Sequence, residues 1–373
     1  LDDIKANVDN IAILMIDNIE TDKINLRKEV QASLDRLYNQ NYISRNGDTY
    51  YFLTDEEQDI ARDIKNTPVD TAQIIKAIGD TVYDDIFTSK RFKYGKNDFS
   101  FNQYVDETQH GAPVSGMGLR FITVAHDQVH NDMWLMNQTF SNPEAFIVLP
   151  EDNDYFNQLE EAKKIDKYVK KQNTSAQPET VQEIIAKKRR EMRQLESRAK
   201  DSLEKAILDG KVYVGGESIN VLAGNAKAKI EQVLSKLAEH VYNKNYMIET
   251  NVDSDADILK ILNSKHQQMN LDGLNDEAME EVGTFLETRK KLNQPTSMGE
   301  IQKRYQDKPY GWKQIDIAAV VARLLVGHQI ELKYGGQKIS PTDRKIVDYL
   351  RNPKDVDKVQ VSRRIAVSED LKR

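Results

Sequence analysis

Across residues 26–54 the apolar positions recur first at helical and then at extended spacing. Val30, Leu34, Leu37 and Tyr38 fall three to four apart and define one face of a helix. Residues 39–41 break it. Tyr42 and Ile43 begin an extended segment, and Asn46-Gly47-Asp48 is a turn whose residues tolerate positive φ. Residues 49–53 return as a β-branched and aromatic strand. A helix followed by such a ribbon is the second half of a winged helix.

The pattern recurs near the other end. Ile317, Val321, Leu324 and Leu325 form a helical stripe, 330–334 reads as a strand, and Gly335-Gly336 as a turn. Sliding the second copy onto the first sets Val30 on Ile317, Leu34 on Val321, Arg36 on Arg323, Leu37 on Leu324 and Ile43 on Ile330. Two small modules of one kind are therefore expected, flanking a different middle.

The rest of the chain reads in order. Ile4, Val8, Ile11, Met15 and Ile19 give a helix over 1–20, and Asp22 or Asn25 is placed to cap the next one. Residues 55–65 form a helix with carboxylates at its N-terminus. After Pro68, 71–87 is amphipathic, 91–94 and 98–105 read as strands, and 109–118, with three glycines and Pro113, as a loop. Residues 119–125 and 145–149 are short buried strands. Residues 155–171 are helical, 173–178 interrupt, and 179–208 is a long polar helix with a narrow apolar stripe, an arm that needs a partner helix. Residues 211–214, Gly215-Gly216 and 218–221 make a hairpin. Helices follow at 226–242, 256–262, 276–292, 298–305 and 341–350, with Pro309-Tyr310-Gly311-Trp312 a rigid turn. Residues 359–367 read as a strand whose partner is expected beyond the end of the sequence.

These elements give a mainly α fold with α+β parts: two winged-helix modules flanking a small α/β domain and a long helical arm. The expected domains are 1–66 (winged helix), 67–152 (α/β), 153–210 (arm), 211–294 (helical region with a hairpin) and 295–373 (second winged helix).

Composition narrows the chemistry. Zero cysteines exclude disulfides and thiolate metal sites and fit a cytoplasmic protein. No apolar run approaches membrane-spanning length, so no membrane partner is expected. The chain starts with Leu and is read as an excised stretch of a longer protein. The net charge of −7 disfavours the whole chain as a polyanion binder but leaves room for local basic faces. One is 26–45, with Arg27, Lys28, Arg36 and Arg45 against Glu29 and Asp35. Another is 187–200, with seven basic residues against Glu191 and Glu196.

A phosphate loop needs Gly-Lys-Ser/Thr opening a helix after a strand. Gly95-Lys96 is followed by Asn97, and Gly224-Asn225 lacks the lysine, so no enzyme activity and no cofactor are expected of this stretch. No Gly-x-Ser-x-Gly elbow occurs either. His126 and His130 have a metal-chelating spacing, but aspartate stands where the metalloprotease motif carries glutamate, and the segment follows a strand. They are read as ordinary polar loop residues, and no metal is expected. The winged helices suggest duplex recognition, the helix in the major groove and the ribbon on phosphates. In the first module the candidates are Arg27, Lys28, Gln31, Arg36 and Arg45. In the second the helix is nearly all aliphatic, which suits burial or a protein contact.

Three stretches carry a family resemblance: Tyr51-Phe52-Leu53-Thr54-Asp55-Glu56-Glu57-Gln58; the 187–198 arm running into Lys211-Val212-Tyr213-Val214-Gly215-Gly216; and Pro309-Tyr310-Gly311-Trp312. In these, and in their order, the chain resembles the large P-loop ATPase of the bacterial phage-exclusion (BREX) systems, the BrxC/PglY family. The resemblance implies an ATPase domain preceding this stretch and a role in defence against phage DNA. With no Walker motif here, no family active-site residue carries over. The expected function is a non-catalytic region contacting double-stranded DNA or other subunits of a defence complex. The alternative is a pure protein-assembly scaffold.

Overall fold

A computed structural model describes residues 4–114, 116–151, 154–172, 176–263 and 275–364. The chain divides into two compact units, each assembled from separate stretches: 1–86 with 150–206, and 87–149 with 207–373. The first unit opens with α1 (Val8–Leu14), α2 (Lys23–Asn39), the hairpin β1 (Ile43–Asn46) and β2 (Thr49–Phe52), and α3 (Asp55–Lys65). α4 (Thr71–Asp80) continues into a π-helical turn, Thr81–Ile86. The second unit then takes β3 (Arg91–Tyr94), β4 (Asn97–Val105), β5 (Thr108–His110), β6 (Met117–Ile122), α5 (Asp132–Ser141) and β7 (Glu144–Val148). The chain returns to the first unit for α6 (Asp154–Lys171) and most of α7 (Glu179–Asp209). It completes the second unit with β8 (Lys211–Val214), β9 (Glu217–Ile219), α8 (Ala226–Val241), α9 (Asp255–Asn263), α10 (Asp276–Lys291), α11 (Met298–Gln306), α12 (Gln314–Val326), β10 (Ile330–Tyr334), β11 (Gln337–Lys338), α13 (Ile346–Arg351) and β12 (Val359–Arg363).

In the first unit, Val30 and Leu34 of α2 are buried with Val8, Ala12, Ile43 and Tyr50. Of the helix expected over 1–20, residues 1–3 lie outside the described residues, and within 4–20 it shrinks to Val8–Leu14. Short polar side chains decide its ends. Asn7 Oδ1 accepts from the Asn10 amide at 2.8 Å, and Asn18 Oδ1 takes the Glu20 amide at 2.9 Å in a turn leading to Asp22, the cap of α2. Ile19, the last of the expected apolar stripe, is fully exposed. Thr54 and Glu57 form a reciprocal capping box on α3, which explains the carboxylates there. The stripe of α7 is covered as its narrowness demanded. Ile185 and Leu195 pack with Ala162, Ile165, Tyr168 and Val169 of α6 and with Ile60 and Ile64 of α3. Of the break expected at 173–178, residues 173–175 lie outside the described residues.

The second unit is built on a sheet of order β3-β4-β6-β7-β8-β9, with β5 paired on β4. β4, β6 and β7 run parallel and the other pairs antiparallel. The parallel strands β6 and β7 are buried almost throughout, as expected of largely apolar strands, with Arg120 and Glu144 the half-buried exceptions. The loop expected over 109–118 overlaps β5 at its start and β6 at its end. A second core joins α9 to α13 with β10 and β12. β12 pairs antiparallel with β10, Leu332 opposite Val361, so its partner lies within the chain and not beyond it. Of the strand expected over 359–367, residues 365–367 lie outside the described residues. The helix expected at 341–350 begins only at Ile346, because Ser340 Oγ and Asp343 Oδ1 take the amides of Thr342 and Lys345 and hold the approach as turns.

The equivalence of the two modules extends beyond the five aligned residues. Asn41 follows α2 at φ 61°, and His328, at the same place in the alignment, follows α12 at φ 56°. In both, the next amide reaches back to the helix: Tyr42 to the Leu37 carbonyl, Gln329 to that of Leu324. Shared backbone geometry thus accompanies the shared pattern.

Candidate nucleic-acid interface

Asp22 starts α2 by accepting the amides of Ile24 and Asn25, and Val30 and Leu34 hold it inward. The five predicted residues fall into two groups. Arg27 is tied to Asp9 of α1 at 2.5 Å. Gln31 is half-buried, and its amide donates to Asp35 at 2.7 Å and to the Tyr50 hydroxyl at 3.4 Å. Both serve contacts inside the module. Lys28, Arg36 and Arg45 are exposed. Arg36 touches only the Ser33 hydroxyl, at 3.0 Å, among the hydrogen bonds to described residues. Arg45 stands on the wing in register with Tyr50. Lys28 and Arg36 lie eight positions apart, about 80° around the helix, away from the Val30–Leu34 face. Glu29 and Asp35 share that exposed surface, which lowers its positive potential.

The matching helix of the second module has no such free face. In α12, Asp316 to Ala322, Leu324 and Leu325 are all buried, and even Arg323 is half-buried. Asp316, in its first turn, accepts the Val252 amide at 2.7 Å and the Asn251 side-chain amide at 2.8 Å. This pins the 251–252 segment over the helix. Burial pushes the Asp316 carboxyl above the usual carboxylate range, the hydrogen bonds opposing. α12 is a core helix and cannot lie in a groove.

Of the two histidines at chelating spacing, His126 is engaged by its neighbours. His126 Nδ1 accepts the Gln128 amide at 3.0 Å, which leaves the hydrogen on Nε2, 3.1 Å from Glu107 Oε1. Both ring nitrogens are thus engaged. Glu107 also meets Arg120, at 3.2 Å, and Arg120 pairs with Glu144 at 2.9 Å and stacks on Tyr104 at 4.4 Å. Nothing in the sequence pointed to this network, because its members join only where β4, β6 and β7 lie side by side.

Beneath the base of the wing lies a polar cavity of about 280 Å³, lined by Tyr38, Ser44, Lys65, Glu161, Lys188 and Glu191 among others. Burial, then repulsion from Glu191, pushes the Glu161 carboxyl up, with Lys188, Lys164 and Arg198 pulling the other way. A carboxyl raised in the folded state favours folding more as pH falls and opposes it once ionised. Glu161→Gln is therefore expected to raise the thermal midpoint at pH 7.5 and to lose that advantage as the pH approaches 4. A variant equal to or below the wild type at pH 7.5 would refute the assignment.

Two family models match the chain. Residues 67–237 match the BREX ATP-binding protein BrxC 4th domain with six-stranded beta sheet, and residues 244–365 match the BREX ATP-binding protein BrxC winged helix-turn-helix domain. The chain belongs to the BrxC family. The six strands of the BrxC sheet correspond in number to the continuous path β3-β4-β6-β7-β8-β9. The BrxC winged-helix match begins at residue 244 and so takes in α9 and α10 ahead of the α11–α12 pair. Neither match includes residues 1–66. No solved structure matches the chain.

Proposed function

We propose that this stretch of a BrxC chain is a non-catalytic contact region of a phage-defence ATPase, cytoplasmic, meeting duplex DNA through the first winged helix. The observation behind the reading is the contrast between the two modules. α2 and its wing leave Lys28, Arg36 and Arg45 exposed, whereas α12 is enclosed. Among the described residues no helix is long and apolar enough to cross a membrane. The second reading, a protein-assembly scaffold, is favoured by exposed apolar residues on the same module: Ile13, Leu14, Met15, Ile24 and Phe52, each more than half exposed.

Fluorescence anisotropy with a labelled duplex separates the two. Expected is weak, sequence-independent binding, about 1–100 µM at physiological salt, falling steeply as salt rises. Lys28→Glu with Arg36→Glu should greatly weaken it without unfolding the protein, since neither side chain is buried. Absence of binding even at low salt leaves the scaffold as the better reading.

A further inference from the structure

The seven basic residues of 187–200 do not behave alike in the fold. Lys187 turns inward, its Nζ 2.9 Å from Glu57 Oε1 and 4.4 Å above the Tyr51 ring. Lys188 pairs with Glu191 at 2.7 Å. Arg189, Arg190 and Arg193 are exposed, and among the described residues none of them makes an ion pair. Their spacing sets them within about 100° of one another, Arg190 opposite the buried stripe of Ile185, Leu195 and Ala199 and Arg189 at its edge, about 40° from Ile185. The exposed residues from 186 to 198 comprise four arginines, one glutamate and three neutral side chains, a local excess of three positive charges. That excess sits on a chain of net charge −7. The helix beneath is 31 residues long and anchored along its inner face by α6 and α3.

We propose that this arginine row is a phosphate-contact surface for duplex DNA, additional to α2 and its wing. The proposal rests on the DNA-contact reading above and places much of the affinity elsewhere. Three features favour it. The inward lysines have carboxylate partners and the outward arginines have none, so the row's charge, offset in part by Glu196, is available to an external anion. Guanidinium groups match phosphate oxygens in a planar fork and are less strongly hydrated than ammonium. A helix held rigid by its buried face fixes three such groups within about 6 Å along its axis, which suits adjacent phosphates and carries no base readout.

The test uses the 373-residue chain, a labelled 30-base-pair duplex and a salt series. Arg189→Ala, Arg190→Ala and Arg193→Ala are combined; alanine suits a helix, and circular dichroism confirms folding. Expected is a loss of about tenfold or more at low salt and a fall of about 2.7 in the log–log salt slope, near 0.9 for each lost phosphate contact. If the triple variant loses binding, the row is supported; the Lys28/Arg36 variant then decides separately whether α2 shares the contact, by losing binding too, or is displaced, by keeping most of it. If the triple variant binds and titrates as wild type while the α2 variant fails, the row is refuted and the α2 reading stands. If the row binds polyglutamate but the chain shows no duplex binding at low salt, its partner is an acidic protein segment and the proposal is overturned.

Discussion

Replacing Gly311 by alanine is expected to destabilise the second unit by about 2–5 kcal/mol. Gly311 lies in the Pro309–Trp312 turn at φ +62°, where an L-residue costs about 1–2 kcal/mol. A Cβ there would lie 2.6 Å from Tyr242 Cδ1 and 3.0 Å from Phe99 Cε1. Those rings are stacked on each other, centroids 4.1 Å apart, and cannot withdraw separately. Overpacking of this kind adds about 1–3 kcal/mol. The turn is also held by Asn245, whose amide donates to the Tyr310 and Gly311 carbonyls while its Oδ1 accepts from Asn97 of β4. The Pro-Tyr-Gly-Trp motif thus joins the winged helix to the sheet. Both tryptophans, Trp134 and Trp312, belong to the second unit, so their fluorescence during urea unfolding reports on it alone. Gly335→Ala is the control: φ is +55° with nothing within 4 Å of the added Cβ, so it bears only the backbone cost. If Gly311→Ala costs no more than the control, the close approach to the rings is not what requires glycine.

Lys229→Met is expected to cost about 2–4 kcal/mol in the same assay. Lys229 is 3% exposed, and its Nζ donates to the carbonyls of Leu208 and Gly210, both at 2.6 Å. These sit at the C-terminal end of α7, the negative end of the helix dipole, where a cation is favoured. Methionine fills a similar volume but donates nothing, so two buried carbonyls lose their partner. Part of the loss is offset because a buried ammonium no longer has to be desolvated. A change below about 0.5 kcal/mol would show that water replaces the lysine and that the capping is dispensable.

What could be read early was what depends on near neighbours. The α2 and α7 stripes repeat every three to four residues, and burial of Val30, Leu34, Ile185 and Leu195 follows from that period alone. The turns at Gly47, Gly215 and Gly335 were legible because glycine adopts positive φ without penalty, and all three do. The aliphatic run of α12 already pointed to burial or a protein contact. Where local signals competed, as at Asn7 and Asn18, short polar side chains ended a helix that the apolar spacing extended.

The partners of each element and each charge were settled by the tertiary structure. Arg27 and Lys28 are neighbours of equal charge and both exposed, yet Arg27 is drawn to Asp9, 18 residues away, and Lys28 is not. Lys187 and Arg189 look interchangeable in a basic run, yet Glu57, 130 residues from Lys187, takes one and leaves the other outside. β12 finds β10 across β11 and α13, and β8 joins a sheet begun some 120 residues earlier at β3. The physical reason is the same in each case. Periodicity and φ preference act within a few residues and are written wherever those residues occur. Strand pairing and ion pairing act through space, and closing a longer loop costs only slightly more than closing a short one, so sequence distance barely constrains which partner is chosen.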